Sequence, residues 1–246
     1  MGEPKRFLVV ADNHGDMQDD KTVSAVLSFK KDFKPNILVH LGDNWDLRNL
    51  RSGAAEKEKV GSLEQDWESG FEFLDSFFSG DAEKHFLYGN HDDRIFQALT
   101  AVSGQTRDYA KEKVAEIKGA CRRLKIRTYP YDSALGVCRI GKLKAIHGYH
   151  AGQTAARSHA NVYGNVLFGH THTIETAAVP SLEPAEARSI GCLCQRDMDY
   201  INAKTGKLRW GQGWAYGFLF SDGNYQIYQT RKVSGSFHAA TQIKTY

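Results

Sequence analysis

The feature that most constrains the fold is a pattern that recurs along the first two thirds of the chain. Short apolar runs end, one after another, in glycine, aspartate, asparagine and histidine. Such a run is typical of a buried parallel β-strand that leads into a loop. The runs are 6-RFLVVADNHGD-16, 37-ILVHLGDNWD-46, 84-KHFLYGNHDDR-94, the segment that ends at His147 and Gly148, and 165-NVLFGHTHTIE-175. The pattern predicts several parallel strands whose loops carry polar side chains.

Amphipathic segments separate these strands and predict helices. After Pro130 the chain is richer in strands, with a predicted hairpin over residues 134–150 and a second around a turn at 221–224. Strands that alternate with helices and then give way to a strand-rich half predict an α/β sandwich. The predicted helices cover residues 20–33, 63–78, 94–102 and 108–124.

The composition fits one globular domain. The chain has 246 residues, of which 41% are hydrophobic and 25% charged, so it can bury a sizeable core. Its formal net charge of +3 neither demands nor excludes a polyanionic partner. We expect a single domain over residues 1–246 with a helical insertion around residues 48–80.

The N-terminal run is too short and too polar for a signal peptide, because Asp12 follows it directly. No run approaches the roughly 18 apolar residues needed to cross a bilayer. We therefore expect a cytoplasmic protein without membrane contact. The four cysteines are few for this length and are expected to be reduced. Cys192 and Cys194 alternate as in a strand, which predicts two small buried side chains on one face.

The strand ends offer oxygen and nitrogen ligands and no thiolate. In open α/β sheets the reactive groups gather beyond the carboxyl ends of the strands, because the loops there converge on one crevice. A set of Asp, Asn and His side chains suits borderline divalent ions such as Mn, Fe or Zn. The candidates are Asp12, His14, Asp43, Asn90, His147, His170 and His172.

The order of these motifs resembles the calcineurin-like metallophosphoesterase family. The family motifs run Asp-x-His, Gly-Asp, Gly-Asn-His-Asp or Glu, His, and Gly-His-x-His, and they match this chain from position 12 to position 172. Gly-Asn-His-Asp and Gly-His-Thr-His, each behind an apolar strand, are the most specific. The resemblance implies a four-layered α/β/β/α sandwich of two mixed sheets.

The resemblance also implies two divalent metal ions, with Mn favoured and Fe, Zn or Ni as alternatives. Asp43 would bridge the ions, since a carboxylate has two oxygens that can hold two cations. His150 rivals His147, but the strand-end position and the following Gly148 favour His147. By resemblance, Asp12, His14, Asp43 and His172 hold one ion, and Asp43, Asn90, His147 and His170 hold the other.

The implied reaction is the hydrolysis of a phosphate ester by a hydroxide that bridges the metals. By resemblance, His91 is the general acid that protonates the leaving oxygen, and imidazole suits this task near neutral pH. Asp46 matches the position that holds this histidine in the phosphoprotein phosphatase branch. Arg48 and Arg94, with Asn90, are candidates for binding phosphate oxygens, because a guanidinium offers a planar bidentate fork.

One departure from the family pattern bears on the substrate. The phosphatase branch has an arginine where this chain has Leu47. The departure favours phosphodiesters, including nucleotides or nucleic-acid ends, over phosphomonoesters. The alternatives are a phosphoprotein or small-molecule phosphomonoesterase, a nuclease that acts with partner subunits, and a non-catalytic binding relative. The sequence leaves the oligomeric state open.

Two segments permit two interpretations each. The amphipathic residues 63–78 would either cover the core or pair with a second subunit. The glycine-rich stretch 210-WGQGWAYGF-218 would either form a bent strand pair in the core, which we favour, or present an aromatic ring to a base or phenyl group.

Overall fold

The centre of the molecule consists of two mixed β-sheets. The computed structural model describes residues 2–51, 62–183, 185–196 and 209–242. The larger sheet contains β1 (Lys5–Val10), β2 (Ile37–His40), β3 (Glu83–Leu87), β4 (Arg127–Tyr129), β10 (Gly213–Leu219), β11 (Tyr225–Val233) and β12 (Ser236–Phe237). Its strand order is β12-β11-β10-β1-β2-β3-β4, in which β1 to β4 are parallel and the remaining pairs antiparallel.

The smaller sheet lies against the larger one. It contains β5 (Cys138–Ile140), β6 (Leu143–Ile146), β7 (Val166–Phe168), β8 (Ile174–Val179) and β9 (Ala185–Ile190) in the order β5-β6-β7-β9-β8. The strands β6, β7 and β9 are parallel, and the two edge strands pair antiparallel to them. The predicted hairpins correspond to β5–β6 and β10–β11.

Helices cover the outer faces of both sheets. They are α1 (Asp20–Phe33), α2 (Leu63–Phe77), α3 (Asp93–Gln97), α4 (Gly104–Arg123) and α5 (Ala155–Tyr163). Residues of α1, α2 and α4 form one apolar cluster with the larger sheet, and α5 forms another with the smaller sheet. A third cluster fills the space between the sheets. These layers confirm the predicted α/β/β/α sandwich.

The strand β1 shows why the first run is apolar throughout. Leu8 and Val10 pack under the helices, whereas Phe7 and Val9 face the second sheet. Because side chains alternate along a strand, a strand between two apolar layers needs a hydrophobic residue at every position. The same reasoning applies to the buried strand β2.

All four predicted helices are present: α1 has the predicted bounds, α2 ends one residue early, and α3 and α4 differ more. The segment 94–102 forms the short helix α3 followed by a 3₁₀ turn at Ala98–Thr100. The helix α4 begins at Gly104, earlier than predicted, because the Ser103 hydroxyl caps it by accepting a hydrogen bond from the Thr106 N–H. The apolar face of α2 packs on the core, which supports the first interpretation of residues 63–78.

The predicted insertion around residues 48–80 stays a prediction. The structure shows a 3₁₀ turn at Arg48–Leu50 and the helix α2 there, while residues 52–61 lie outside the described residues. Among the helices of the described ranges, none combines the length and apolar character required to cross a membrane.

Candidate active site

The carboxyl ends of β1, β2, β3, β6 and β7 meet at one crevice, and the motif residues lie there together. His14 and His172 approach each other with their Nε2 atoms 3.1 Å apart. The Oδ2 atom of Asp43 lies 3.9 Å from His14 Nε2, and Oδ1 of Asp12 lies 3.6 Å from His172 Nε2. All four residues are almost fully buried. The two imidazoles and two carboxylates therefore form one compact group.

A second group adjoins the first through Asp43. Its Oδ2 atom lies 3.4 Å from His147 Nε2. The Oδ1 atom of Asn90 lies 3.0 Å from His147 Nε2 and 2.7 Å from His170 Nδ1. Asp43 is thus the common member of both groups, as a bridging carboxylate would be.

These donors fit a pair of divalent ions. Ligand atoms of Asp43, His147 and His170 lie within 4.8 Å of one another, and so do those of His14, Asp43 and His91. Facing imidazole nitrogens with neighbouring carboxylates are costly to bury unless a cation or protons lie between them. The paired histidines of Gly-His-Thr-His have a geometric explanation: His172 joins the first group and His170 the second.

The backbone of the crevice is unusual because many of its non-glycine residues adopt the left-handed conformation, with a positive φ. A positive φ is uncommon for a non-glycine residue and persists only when the surrounding structure enforces it. Here the loops after β1 and β2 enforce it, because Asp12 N–H donates to the Gly42 carbonyl and His14 N–H to the Asp43 carbonyl. The residues concerned are Asp12, His14, Asp43, Leu47, His170 and His172, with φ between 47° and 65°.

Asp46 connects His91 to the first group. Its Oδ1 atom lies 2.9 Å from Nδ1 of His14 and 2.9 Å from Nδ1 of His91. The two imidazole rings are 4.6 Å apart and nearly perpendicular. Burial opposes ionisation of Asp46, but hydrogen bonds from His14 and His91 hold its pKa well below the usual value. The sequence expectation that Asp46 and His91 lie together matches this arrangement.

A cleft of about 370 Å³ opens above these residues. Asp43, Asn90 and His91 form part of its wall, together with His170 and His172. The remaining wall is formed by Ala151, Gly152, Thr171, Thr173, Arg209 and Trp210. A substrate in the cleft would therefore contact both predicted metal groups and His91.

A comparison of the sequence with family profiles identifies the family of this chain. The sequence profile described as "Calcineurin-like phosphoesterase" matches residues 5–173, which is more than half of the chain and includes every motif residue above. The chain belongs to the calcineurin-like phosphoesterase family. No curated protein sequence matches the chain significantly.

Several solved structures resemble this calcineurin-like phosphoesterase in fold, all at low sequence identity. A Vps29 single mutant from Entamoeba histolytica has a TM-score of 0.47 and 14% identity, and the alignment covers 95% of this chain and 96% of that one. Vacuolar Protein Sorting 29 from Cryptosporidium parvum has a TM-score of 0.45 and 13% identity, with 97% of each chain covered. The E. coli phosphoesterase YfcE has a TM-score of 0.40 and 14% identity, covering 88% of this chain and 89% of that one.

Within this phosphoesterase the charges of the site are strongly coupled. Burial opposes ionisation of Asp43, but the neighbouring His147 holds its pKa well below the usual value. Burial likewise opposes the charging of His147, yet Asp43 raises its pKa to about 9. In the same way Asp12 raises the pKa of the buried His172 to about 8. The carboxylates keep their negative charge, which suits cation binding.

Two acidic residues stabilise the loop between β2 and the 3₁₀ turn at Arg48–Leu50. The sequence did not predict this role for either of them. Asp92 is the last residue of Gly-Asn-His-Asp. It accepts hydrogen bonds from the backbone N–H groups of Gly89 at 2.8 Å and Asp43 at 2.8 Å, and from those of the two residues that follow Asp43. Asp66, on α2, accepts hydrogen bonds from the N–H groups of Asp46 at 3.0 Å and Leu47 at 2.6 Å. Both carboxylates are buried. They fix the backbone that carries Asp43 and Asp46.

The predicted phosphate-binding arginines contact other parts of the loop. Arg48 donates to Asp16 with Nη1 2.8 Å from Oδ1, and lies 3.4 Å from Asp46 Oδ2. Arg94 donates to the Asp46 carbonyl at 2.6 Å. Neither is among the described residues that line the cleft. Their role in phosphate binding, like the assignment of the metal ligands, stays a prediction.

Two further histidines are structural. His40 is buried, its Nε2 lies 2.7 Å from Asn13 Oδ1, and its Nδ1 accepts the Gly42 N–H. Burial lowers its pKa to about 3. His159 is also buried and accepts the N–H of Tyr149 at 2.9 Å. These neutral rings support the backbone around the site.

The segment 210–218 contributes both to the core and to the wall of the cleft, and stacking of an aromatic ring on a ligand stays a prediction. Trp214, inside β10, is buried in the core. Trp210 precedes that strand and lines the cleft, with its ring 4.0 Å from the ring of His172. The sequence signal was the same for both tryptophans, so only their positions relative to the start of β10 separate them.

Proposed function

We propose that this chain is a phosphoesterase that depends on two divalent metal ions and favours phosphodiesters. Manganese is the first metal to test. The observation that carries the proposal is the convergence of both predicted ligand groups on Asp43, beside a cleft that His91 also lines. The proposed ligands are Asp12, His14, Asp43 and His172 for one ion, and Asp43, Asn90, His147 and His170 for the other.

The chain's own residues supply the acid chemistry. When bound, two divalent ions would lower the pKa of a coordinated water and neutralise phosphoryl oxygens. Asp46 contacts Nδ1 of His91, so Nε2 is the ring nitrogen that would deliver a proton to the leaving oxygen. The carboxylate orients the ring, as the group that positions the base does in other catalytic pairs.

The preference for diesters rests on the cations around the cleft. A monoester is dianionic and needs more positive charge than a diester. Among the described residues that line the cleft, Arg209 is the one with a permanent positive charge, and it pairs with Glu175 at 3.2 Å. Leu47, at the position of the phosphatase arginine, is fully buried. This composition favours the singly charged phosphodiester.

The test compares bis-p-nitrophenyl phosphate with p-nitrophenyl phosphate, using metal-stripped protein with Mn²⁺ added back. We expect the diester to be hydrolysed faster and only with metal. His91→Ala should retain Mn²⁺ and lose about 100-fold or more in kcat, because general acid catalysis contributes on this scale. Asp43→Asn should lose both metal and activity.

The outcomes separate the alternatives. A faster monoester reaction would replace the phosphodiesterase proposal with a phosphomonoesterase. Retained activity in Asp43→Asn would contradict the metal-site assignment. A protein that binds Mn²⁺ with the expected ligand dependence but hydrolyses neither compound would be a non-catalytic binding relative.

A further inference from the structure

A second pocket lies beside the catalytic cleft, and the two share a wall. This pocket has a volume of about 280 Å³, and Arg196, Arg231 and Lys232 are among the residues that line it. Trp210 lines both the pocket and the catalytic cleft. A ligand that extends from the predicted metal centre past Trp210 would therefore enter a basic pocket.

The pocket is suited to an anion. Within the described part of the chain, no acidic residue lines it. Lys232 is partly neutralised by Asp19, whose Oδ1 lies 3.3 Å from its Nζ, and the same Nζ donates to Gln212 Oε1 at 2.9 Å. Arg231, on β11, is exposed to solvent. Guanidinium groups at such positions bind phosphate oxygens through paired hydrogen bonds.

The order of the binding groups along the surface indicates the chemical class of the ligand. A site for one phosphodiester, an aromatic ring and a basic pocket follow one another along the surface. Proteins that bind single-stranded nucleic acid combine these parts, since the phosphates meet cations and the unpaired bases stack on aromatic rings. A duplex does not fit this order as well, because its bases are already stacked on one another.

We infer that the substrate is a single-stranded oligonucleotide, whose scissile phosphodiester lies at the predicted metal centre, with a neighbouring base on Trp210 and a further phosphate in the basic pocket. The inference rests on the proposed function and specifies its substrate class. In the reaction, a water oxygen forms a new bond to phosphorus, the bond to the leaving oxygen breaks, and that oxygen gains a proton. The products are a terminal phosphomonoester and a hydroxyl group.

The first test measures binding without turnover. Metal-stripped protein is titrated into a fluorescein-labelled oligothymidylate, and anisotropy is recorded at several salt concentrations. Arg231→Gln should weaken binding and reduce the magnitude of the slope of log K against log salt by about 0.7, because one phosphate contact on a single strand is lost. Arg139→Gln is the matched control: Arg139 is also an exposed strand arginine, but it lies on β5, at the far edge of the other sheet. It should leave affinity and slope within error of the wild type.

A second comparison isolates the base. Trp210→Leu should weaken binding of the oligothymidylate by about tenfold, as expected for one lost stacking contact. The same substitution should have little effect on an abasic deoxyribose-phosphate strand of equal length. Equal losses for both strands would contradict base stacking on Trp210.

A kinetic comparison connects the pocket to catalysis. With Mn²⁺ present, Arg196→Gln/Arg231→Gln should reduce kcat/KM for the oligonucleotide at least about fivefold more than kcat/KM for bis-p-nitrophenyl phosphate. Equal effects of Arg231→Gln and Arg139→Gln would overturn the inference, as would a wild-type protein that hydrolyses the small diester but neither binds nor cleaves the oligonucleotide. Absence of Mn²⁺-dependent hydrolysis of every diester would instead count against the proposed function.

Discussion

At the scale of single residues, His172 shows how the site uses both nitrogens of an imidazole. Its Nε2 faces His14 and Asp12, whereas its Nδ1 lies 3.8 Å from the Sγ atom of Cys194. Metal-ligating histidines commonly donate their second N–H to a partner that fixes the tautomer and the ring orientation. Cys194 occupies that position here. The sequence predicted that Cys194 lies within a strand, but it follows β9 and forms an isolated β-bridge. Its side chain is buried, as expected.

We predict that Cys194→Ala weakens Mn²⁺ binding about tenfold, the lower end of the effect of removing such a partner. The loss should appear by calorimetric titration of metal-stripped protein. Cys138→Ala provides the control, because Cys138 is equally buried but lies in β5. Equal metal affinity in the two variants would show that the thiol does not position His172.

At the scale of elements, α2 does more than cover the core. Its apolar side packs on the larger sheet, and its Asp66 accepts the two amides at the left-handed turn of Leu47. This turn carries Asp46, which contacts His14 and His91. The helix α2 therefore supports the turn that positions Asp46 and His91, although α2 itself contains none of the family motifs.

We predict that Asp66→Ala lowers kcat about tenfold or more and destabilises the protein by roughly 2 kcal/mol or more, since buried amides lose their acceptor. Urea unfolding and bis-p-nitrophenyl phosphate turnover measure the two effects. Ser62→Ala is the control for helix stability, because Ser62 caps the same helix through the Gln65 N–H. It should cost about 1 kcal/mol and leave kcat unchanged. If Asp66→Ala behaved in the same way, α2 would have no bracing role.

At the scale of the whole molecule, the site concentrates buried charge between two otherwise apolar sheets. Asp12, Asp43 and Asp46 are buried together with His14 and His172. Burying charges is costly unless they are compensated, and a bound cation compensates carboxylates directly. Metal binding should therefore stabilise the entire fold, because the ligands come from loops of both sheets.

We predict that each Mn²⁺ ion, at about 100 times its own Kd, adds roughly 2.7 kcal/mol of stability. For a domain of this size each such increment corresponds to a rise of about 5–10 °C in Tm. Differential scanning fluorimetry of stripped and reloaded protein measures the shift. Asp43→Asn should show almost none of it, and an equal shift in that variant would place the stabilising ion elsewhere.

The sequence by itself predicted most of the strands, the α/β class and the polar residues at the strand ends. Apolar runs that end in Asp, Asn and His are local patterns that periodicity can detect, whereas the layered sandwich and the predicted metal ligands came from the resemblance to the family motifs. Tertiary structure decided which distant side chains reach those ends. Asp66, Cys194, Trp210 and Arg231 belong to segments far from the motifs in sequence, and an acid on an amphipathic helix or a tryptophan before a strand has no distinctive local pattern. Their positions follow from how α2, β9 and the β10–β11 hairpin pack around the crevice, because packing joins residues without regard to their separation along the chain.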